Sequence, residues 1–136
     1  MSQSTEEIPW TFINTNGIPL TNYSANDIVI RSDVIPVGYI GIVRDVAVMF
    51  TTAGGTLAWG TRFASGGVNR WTQNVTTNTT GTANIVLGHD DRIELIITSA
   101  GVGVIDVTFS GVIKKQIIPG IVFPIVQPSL VGTGGF

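Results

Sequence analysis

Cysteine is absent from the sequence, so neither a disulfide bridge nor a thiolate metal site can form. Charge is also scarce: Asp, Glu, Lys and Arg make up 12% of the 136 residues, where about a quarter is usual. Polarity comes instead from 17 glycines, 17 threonines and many asparagines and serines, which suit β-strands and tight turns. Since charge normally keeps a monomer soluble, we expect neighbouring chains to cover much of this surface.

Basic clusters and leader-like segments are missing as well. The two lysines, Lys114 and Lys115, are adjacent, but the five arginines are scattered along the sequence. A nucleic-acid partner would need a clustered basic footprint, so none is expected. The segment Met1–Glu7 is polar and acidic and has no apolar stretch, so secretion is not expected. The longest apolar run, near the C-terminus, is too short and too interrupted by proline to cross a bilayer, so no membrane partner is expected.

Few side chains could carry catalysis. His89 is the only histidine, and with Asp90, Asp91 and Glu94 it forms the only dense cluster of titratable residues. A metal site could draw on this cluster, but no further His or carboxylate motif completes a shell, and Gly88-His-Asp-Asp is also ordinary turn chemistry. No Gly-x-Ser-x-Gly motif accompanies the histidine. We therefore predict a turn here, and a protein without enzymatic activity, cofactor or metal.

Apolar and polar residues alternate in several short segments, and no window has a convincing helical repeat. In segment 92–99, Ile93, Leu95 and Ile97 alternate with polar residues that include Glu94. Segment 103–115 places on one face Ile105, Val107, Phe109 and Ile113. Seven or eight such strands joined by tight turns predict an all-β fold, an antiparallel two-sheet sandwich resembling a jelly roll, with a barrel as the alternative.

The longest alternating segment, 40–52, carries two further expectations. Its predicted inner face consists of Ile40, Ile42, Val46, Val48 and Phe50. Arg44 interrupts that face, which indicates either a bulge or a paired buried charge. The Ala53-Gly54-Gly55 sequence that follows predicts a hairpin turn.

Both ends of the chain differ from this central body. We predict an N-terminal arm at residues 1–26, a sandwich domain at 27–115 and an apolar C-terminal arm at 116–136. Three prolines in the last segment exclude a helix and a central strand, while its large apolar side chains need a surface to cover them. A groove on a neighbouring subunit is favoured over a fold-back onto the same sandwich. The residues expected to bind a partner are Trp10, Phe12, Ile117, Ile118, Ile121, Val122, Phe123, Ile125, Val126 and Phe136.

Aromatic residues near arginines suggest a second kind of site. Trp59 and Trp71, with Arg62 and Arg70, could form a platform on which a sugar ring stacks. Trp59 shares its predicted face with Leu57, however, so the core competes for it. A receptor- or carbohydrate-binding module is therefore the alternative function.

Two segments carry a resemblance to a known class of protein. They are Leu87-Gly-His-Asp-Asp-Arg-Ile-Glu-Leu-Ile-Ile-Thr-Ser and Gly103-Val-Ile-Asp-Val-Thr-Phe-Ser-Gly-Val-Ile. Together with the Thr-, Gly- and Asn-rich, cysteine-free composition, this pattern resembles the jelly-roll structural proteins of tailed-bacteriophage virions, such as head decoration proteins, head fibres and tail modules. The resemblance covers roughly residues 27–115 and transfers no functional residue.

The resemblance implies a homotrimer or a larger symmetric assembly that binds other virion proteins. We therefore expect a virion structural protein, made in the host cytoplasm, that oligomerises through its β faces and terminal arms.

Overall fold

A computed structural model describes residues 6–116, and about two-thirds of this part of the chain lies in β-strands. It contains eight strands: β1 (Glu7–Pro19), β2 (Ile28–Arg31), β3 (Tyr39–Thr52), β4 (Thr56–Arg62), β5 (Val68–Val75), β6 (Thr79–Leu87), β7 (Arg92–Ser99) and β8 (Val104–Lys115). A single 3-10 turn, Leu20–Asn22, follows β1. Within residues 6–116 there is no helix with the length and apolarity needed to cross a membrane.

The strands form two antiparallel four-stranded sheets. The first sheet has the order β1-β8-β3-β6, and the second has the order β2-β7-β4-β5. The described residues thus form a long hairpin wrapped into a sandwich, because β1 pairs with β8, β2 with β7, β3 with β6 and β4 with β5. That arrangement is the jelly roll, and it confirms the predicted all-β sandwich.

The core lies between the sheets and follows the predicted alternation. Ile93, Leu95 and Ile97 of β7 are fully buried, as is Phe109 of β8. Across the sandwich, Trp59 of β4 meets Phe109 edge to face, with the ring centroids 5.9 Å apart. Such aromatic pairs add to the stabilisation that burial itself provides.

The inner face of β3 is only partly as predicted, because a bulge at Arg44 reverses the alternation. The register of β3 against both β6 and β8 shifts between Val43 and Asp45. Before the bulge, Val43 belongs to the core, so the predicted inner residues Ile40 and Ile42 lie on the outer face. After it, Val48 is buried as expected. A bulge was one of the two explanations predicted for the interruption of the apolar face at Arg44.

The predicted hairpin at Ala53-Gly54-Gly55 is wrong. This turn carries the chain from β3 in the first sheet to β4 in the second. Gly54 and Gly55 adopt positive φ angles of 128° and 115°, and the Gly54 carbonyl accepts a hydrogen bond from the Gly103 amide at 2.7 Å. Glycine enables the sharp turn, but it does not determine which strand pairs next.

Residues 7–19, predicted to be part of an N-terminal arm, form β1 and pair with β8. Phe12 and Ile13 of this strand are buried in the core, so the segment belongs to the first sheet. The strand begins at Glu7, well before the predicted sandwich boundary at residue 27. Of the predicted C-terminal arm, residues 117–136 lie outside the described part of the chain.

Candidate functional site

A row of four residues crosses the outer face of the second sheet, one from each strand. Arg31 of β2 lies opposite Glu94 of β7, Glu94 opposite Gly60 of β4, and Gly60 opposite Arg70 of β5. Alternation along β7 sends Glu94 to this face, because its two neighbours, Ile93 and Leu95, point into the core. The two arginines therefore flank the carboxylate.

Glu94 is the centre of an ion-pair network and is completely buried. Arg62 donates from Nε to Oε2 at 2.9 Å and from Nη2 to Oε1 at 3.1 Å, a bidentate contact. Arg70 Nη1 donates to Oε1 at 3.2 Å, and Arg31 Nε donates to Oε2 at 3.3 Å. Three guanidinium groups thus cover one carboxylate, which is the form in which a charged group can be buried.

Two opposing effects set the pKa of Glu94. Burial alone would raise it, because an ionised carboxylate is poorly solvated there. Hydrogen bonds and charge from Arg62, and then from Arg70, outweigh burial, so the pKa lies below its ordinary value. The same contact raises the pKa of Arg62. Glu94 and Arg62 are therefore both charged at neutral pH.

Gly60 makes the close packing of this row possible. A Cβ atom at this position would collide with the backbone of β5, at the Asn69 carbonyl and the Arg70 Cα. The register of β4 against β5 shifts between Trp59 and Gly60, at the same place. Because Gly60 has no side chain, β5 can approach β4 closely enough for Arg70 to reach Glu94.

Two arginines face each other at the end of the second sheet. Arg62 of β4 lies directly opposite Arg92 of β7. Like charges opposite each other on neighbouring strands destabilise a sheet, so the pairing of Arg62 with Arg92 does not itself stabilise the fold. The side chains open onto a cavity of about 470 Å³. Its lining consists of Arg31, Val34, Arg62, Phe63, Ala64, Gly66, Asp90 and Arg92.

The four residues predicted for a sugar platform are divided between core and surface. Arg62 and Arg70 do come together, through Glu94. Trp59 is fully buried, so its ring is not part of a surface platform. Trp71 is half-buried and donates from Nε1 to Thr61 Oγ1 at 2.9 Å. The aromatic ring that borders the arginines is instead Phe63, which is 38% exposed.

Glu94 was missed as the centre of a site because strand alternation alone predicts a solvated side chain there. A weak indication was available: Ile96 shares the outer face with Glu94, and an apolar residue on that face points to partial cover. The position of the three arginines around it depends on strand pairing, which the sequence does not reveal.

The predicted turn at His89 is confirmed. The Asp91 amide donates to the Gly88 carbonyl at 3.1 Å, and Asp91 Oδ2 accepts from the Gly88 amide at 2.8 Å. His89 Nδ1 lies 2.7 Å from the Ile35 carbonyl oxygen, and Nε2 lies 3.3 Å from Asp90 Oδ1. No group of three or more potential metal ligands occurs within residues 6–116.

The predicted partner-binding residues of the N-terminal segment are on β1. Phe12 is buried in the core of its own sandwich, and Trp10 is half-buried and packs against that core. The other predicted partner residues, from Ile117 to Phe136, lie outside the described part of the chain.

The four edge strands differ in how they are protected against pairing with another chain. β1 contains Pro9 and Pro19 and two register shifts, β2 is only four residues long, and β5 carries Arg70 and two register shifts. These are common ways to blunt a sheet edge. The nine residues of β6 contain no charge and no proline, and its pairing with β3 has a single register shift. Within residues 6–116, β6 pairs on one side only, with β3.

No protein-family model, curated protein or solved structure matches this chain.

Proposed function

We propose that this chain is a non-enzymatic structural subunit of a symmetric assembly of the kind that forms virions. Sister copies join through the edge strand β6 and through the C-terminal segment 117–136. The observation that carries the proposal is the edge of the first sheet, where a nine-residue uncharged strand ends the pairing of the described residues.

The edge of β6 offers a template for strand addition. Backbone N–H and C=O groups on the outer side of an edge strand can pair with an extended segment of another chain. Its outward-facing side chains Thr80, Thr82, Asn84 and Val86 are exposed, and none of them carries charge. An approaching neutral segment therefore meets no electrostatic barrier on this strand.

The C-terminal sequence has the chemistry of such a segment. Residues 117–136 contain no charged side chain and are rich in Ile and Val, which favour extended backbone. Prolines at 119, 124 and 128 are compatible with an outermost strand, where one side needs no hydrogen bonds. Fully extended, twenty residues reach about 60 Å, far enough to contact a neighbouring subunit.

Virion architecture is supported by the sequence resemblance and by the jelly-roll strand order, which recurs in viral capsid domains. Fold by itself does not assign function, so the edge strand carries more weight than the topology. Closed symmetry would repeat each modest contact many times and make the assembly stable.

The edge contact is tested by placing a lysine on β6. Thr82 is exposed and lies opposite Asp45, so Thr82→Lys gains a favourable cross-strand neighbour and should leave the fold intact. We expect it to lower the oligomer mass measured by size-exclusion chromatography with light scattering. The matched control is Thr11→Lys on β1, an edge position that is also exposed and lies opposite Ser110, and it should leave that mass unchanged.

The C-terminal contact is tested separately in the full chain with the double variant Phe123→Ser and Ile125→Ser. We expect dissociation to the mass of one chain, with the circular dichroism spectrum of a β-protein retained. An oligomer that survives both this variant and Thr82→Lys would refute the proposed function.

A further inference from the structure

The cavity at the end of the second sheet has the size and lining of a ligand site. It lies where β2 and β4 end and β7 begins, and its volume of about 470 Å³ is typical of pockets for small molecules. Its lining includes three arginines, Arg31, Arg62 and Arg92. Nothing in the proposed assembly uses this end of the sandwich.

The arginines keep hydrogen-bond donors that the fold does not use. Arg62 donates to Glu94 from Nε and Nη2 and to the Gly66 carbonyl from Nη1 at 3.0 Å, and a guanidinium has further N–H groups beyond these. Arg31 contacts Glu94 on one side, and its side chain is 41% exposed. Arg92 takes part in no ion pair within residues 6–116. These donors can bind an anion in the cavity.

The local charge is positive although the chain as a whole is negative. The four arginines in or beside the cavity outnumber the three nearby carboxylates, Glu94, Asp90 and Asp91. The chain as a whole has a net charge of −2, so the charge elsewhere is more negative still. The nearby Asp91 accepts from the backbone amides of Gly88 and Ala64. An anionic ligand is therefore attracted to this end of the molecule.

The site is also ordered before any ligand arrives. Glu94 holds Arg62 with two bonds and Arg31 with one, so their guanidinium planes are already oriented. Preorganised side chains bind more tightly because less freedom is lost on binding. Arg62 and Arg92 lie opposite each other, and the repulsion between them destabilises the sheet when the cavity is empty. An oxyanion bound between them would relieve that repulsion.

The other lining groups indicate what the anion is attached to. Asp90 is a poor neighbour for a bare phosphate or sulfate, but it can accept hydrogen bonds from hydroxyl groups. Phe63 and Val34 are 38% and 36% exposed and offer apolar contact. A ligand that combines a negative group, several hydroxyls and an apolar ring face fits all three features.

We propose that this cavity binds an acidic sugar, a monosaccharide unit that carries a carboxylate or sulfate group. Arg31, Arg62 and Arg92 bind the anionic group, Asp90 accepts hydrogen bonds from ring hydroxyls, and Phe63 contacts the ring. The binding residues differ from the tryptophan platform considered from the sequence, because the ring that borders the arginines is Phe63.

Isothermal titration calorimetry of the full chain at low ionic strength tests the ligand class. The probes are glucuronic acid, glucose 6-sulfate, glucose and inorganic sulfate. We expect the two acidic sugars to bind at least about tenfold more tightly than either glucose or inorganic sulfate. Equal affinity for glucose, equal affinity for inorganic sulfate, or no binding of either acidic sugar would overturn the proposal.

Two variants test the location. Arg92→Gln removes a donor that lies outside the Glu94 network, so the fold should be retained, and we expect affinity for glucuronic acid to fall about tenfold or more. Arg44→Gln, on the first sheet, is the matched control and should leave affinity unchanged. Phe63→Ala should weaken the acidic sugars but not inorganic sulfate. An equal loss for Arg44→Gln and Arg92→Gln would show that only overall charge matters and would refute the site.

Discussion

The two sheets use the scarce charge of this chain in opposite ways. The strands of the first sheet carry three acidic and three basic residues, namely Glu7, Arg44, Asp45, Asp106, Lys114 and Lys115. The strands of the second sheet carry four arginines and a single acidic residue, Glu94. The first sheet is therefore balanced, whereas the second concentrates positive charge at one end of its outer face.

One ion pair from each sheet shows what this difference means. Glu7 and Arg44 form a bidentate pair on the first sheet, with side chains 39% and 43% exposed. The hydrogen bond from Arg44 is the main reason that the pKa of Glu7 is lowered. The pKa of Glu94 is lowered although burial alone would raise it, because the contacts with Arg62 and Arg70 outweigh the effect of burial. Water can replace the partner of Glu7, but it cannot replace the partners of Glu94.

The largest expected effect therefore follows from removing the charge of Glu94. Glu94→Gln keeps the shape but leaves three guanidinium groups without their counter-charge, and we expect a loss of about 3 kcal/mol in the free energy of unfolding. Urea unfolding followed by tryptophan fluorescence measures it. The control, Glu7→Gln, should leave the midpoint essentially unchanged. Equal effects for the two variants would remove the distinction between the sheets.

A smaller loss in the free energy of unfolding is expected from Gly60→Ala. The added methyl group would force β4 and β5 apart, because it meets backbone atoms that cannot rotate away. We expect about 2 kcal/mol of destabilisation in thermal or urea unfolding. Gly81→Ala on β6 is the matched control: its Cβ would have open space, so stability should stay the same or rise by about 0.5 kcal/mol. A tolerated Gly60→Ala would contradict the close approach of β5.

The smallest effect is a difference in acid sensitivity. The folded-state pKa of Glu94 lies below its ordinary value of 4.5, so ionised Glu94 stabilises the fold above about pH 4.5. That contribution is lost as the pH falls through the folded-state pKa. The midpoint of urea unfolding should therefore decline less steeply below pH 4.5 in Glu94→Gln than in the unaltered chain. Identical slopes would contradict the lowered pKa.

Much of the fold could be predicted from the sequence, because burial imposes a strict period of two on the strands. Ile93, Leu95 and Phe109 could be assigned to the core in this way. The inner face of β3 could be predicted only beyond Arg44, since a one-residue bulge exchanges the two faces. The destination of the Gly54-Gly55 turn could not be predicted, because a local turn does not specify which sheet receives the next strand.

The candidate site was harder to predict because it is built from residues distant in sequence. Arg31, Arg62 and Arg70 lie far from Glu94 along the chain and meet it only through strand pairing. Alternation correctly placed Glu94 on the outer face, but its burial comes from the arginines that cover it. A single sequence contains the charges without the register that brings them together.

The proposed role of β6, as the edge where copies meet, is tested most directly by hydrogen–deuterium exchange of the full chain over a range of concentrations. Amides of β6 should become protected as concentration rises, while those of the opposite edge strand β1 should not change. Exchange in β6 that stays fast and independent of concentration, in a protein that remains monomeric, would contradict assembly through this edge.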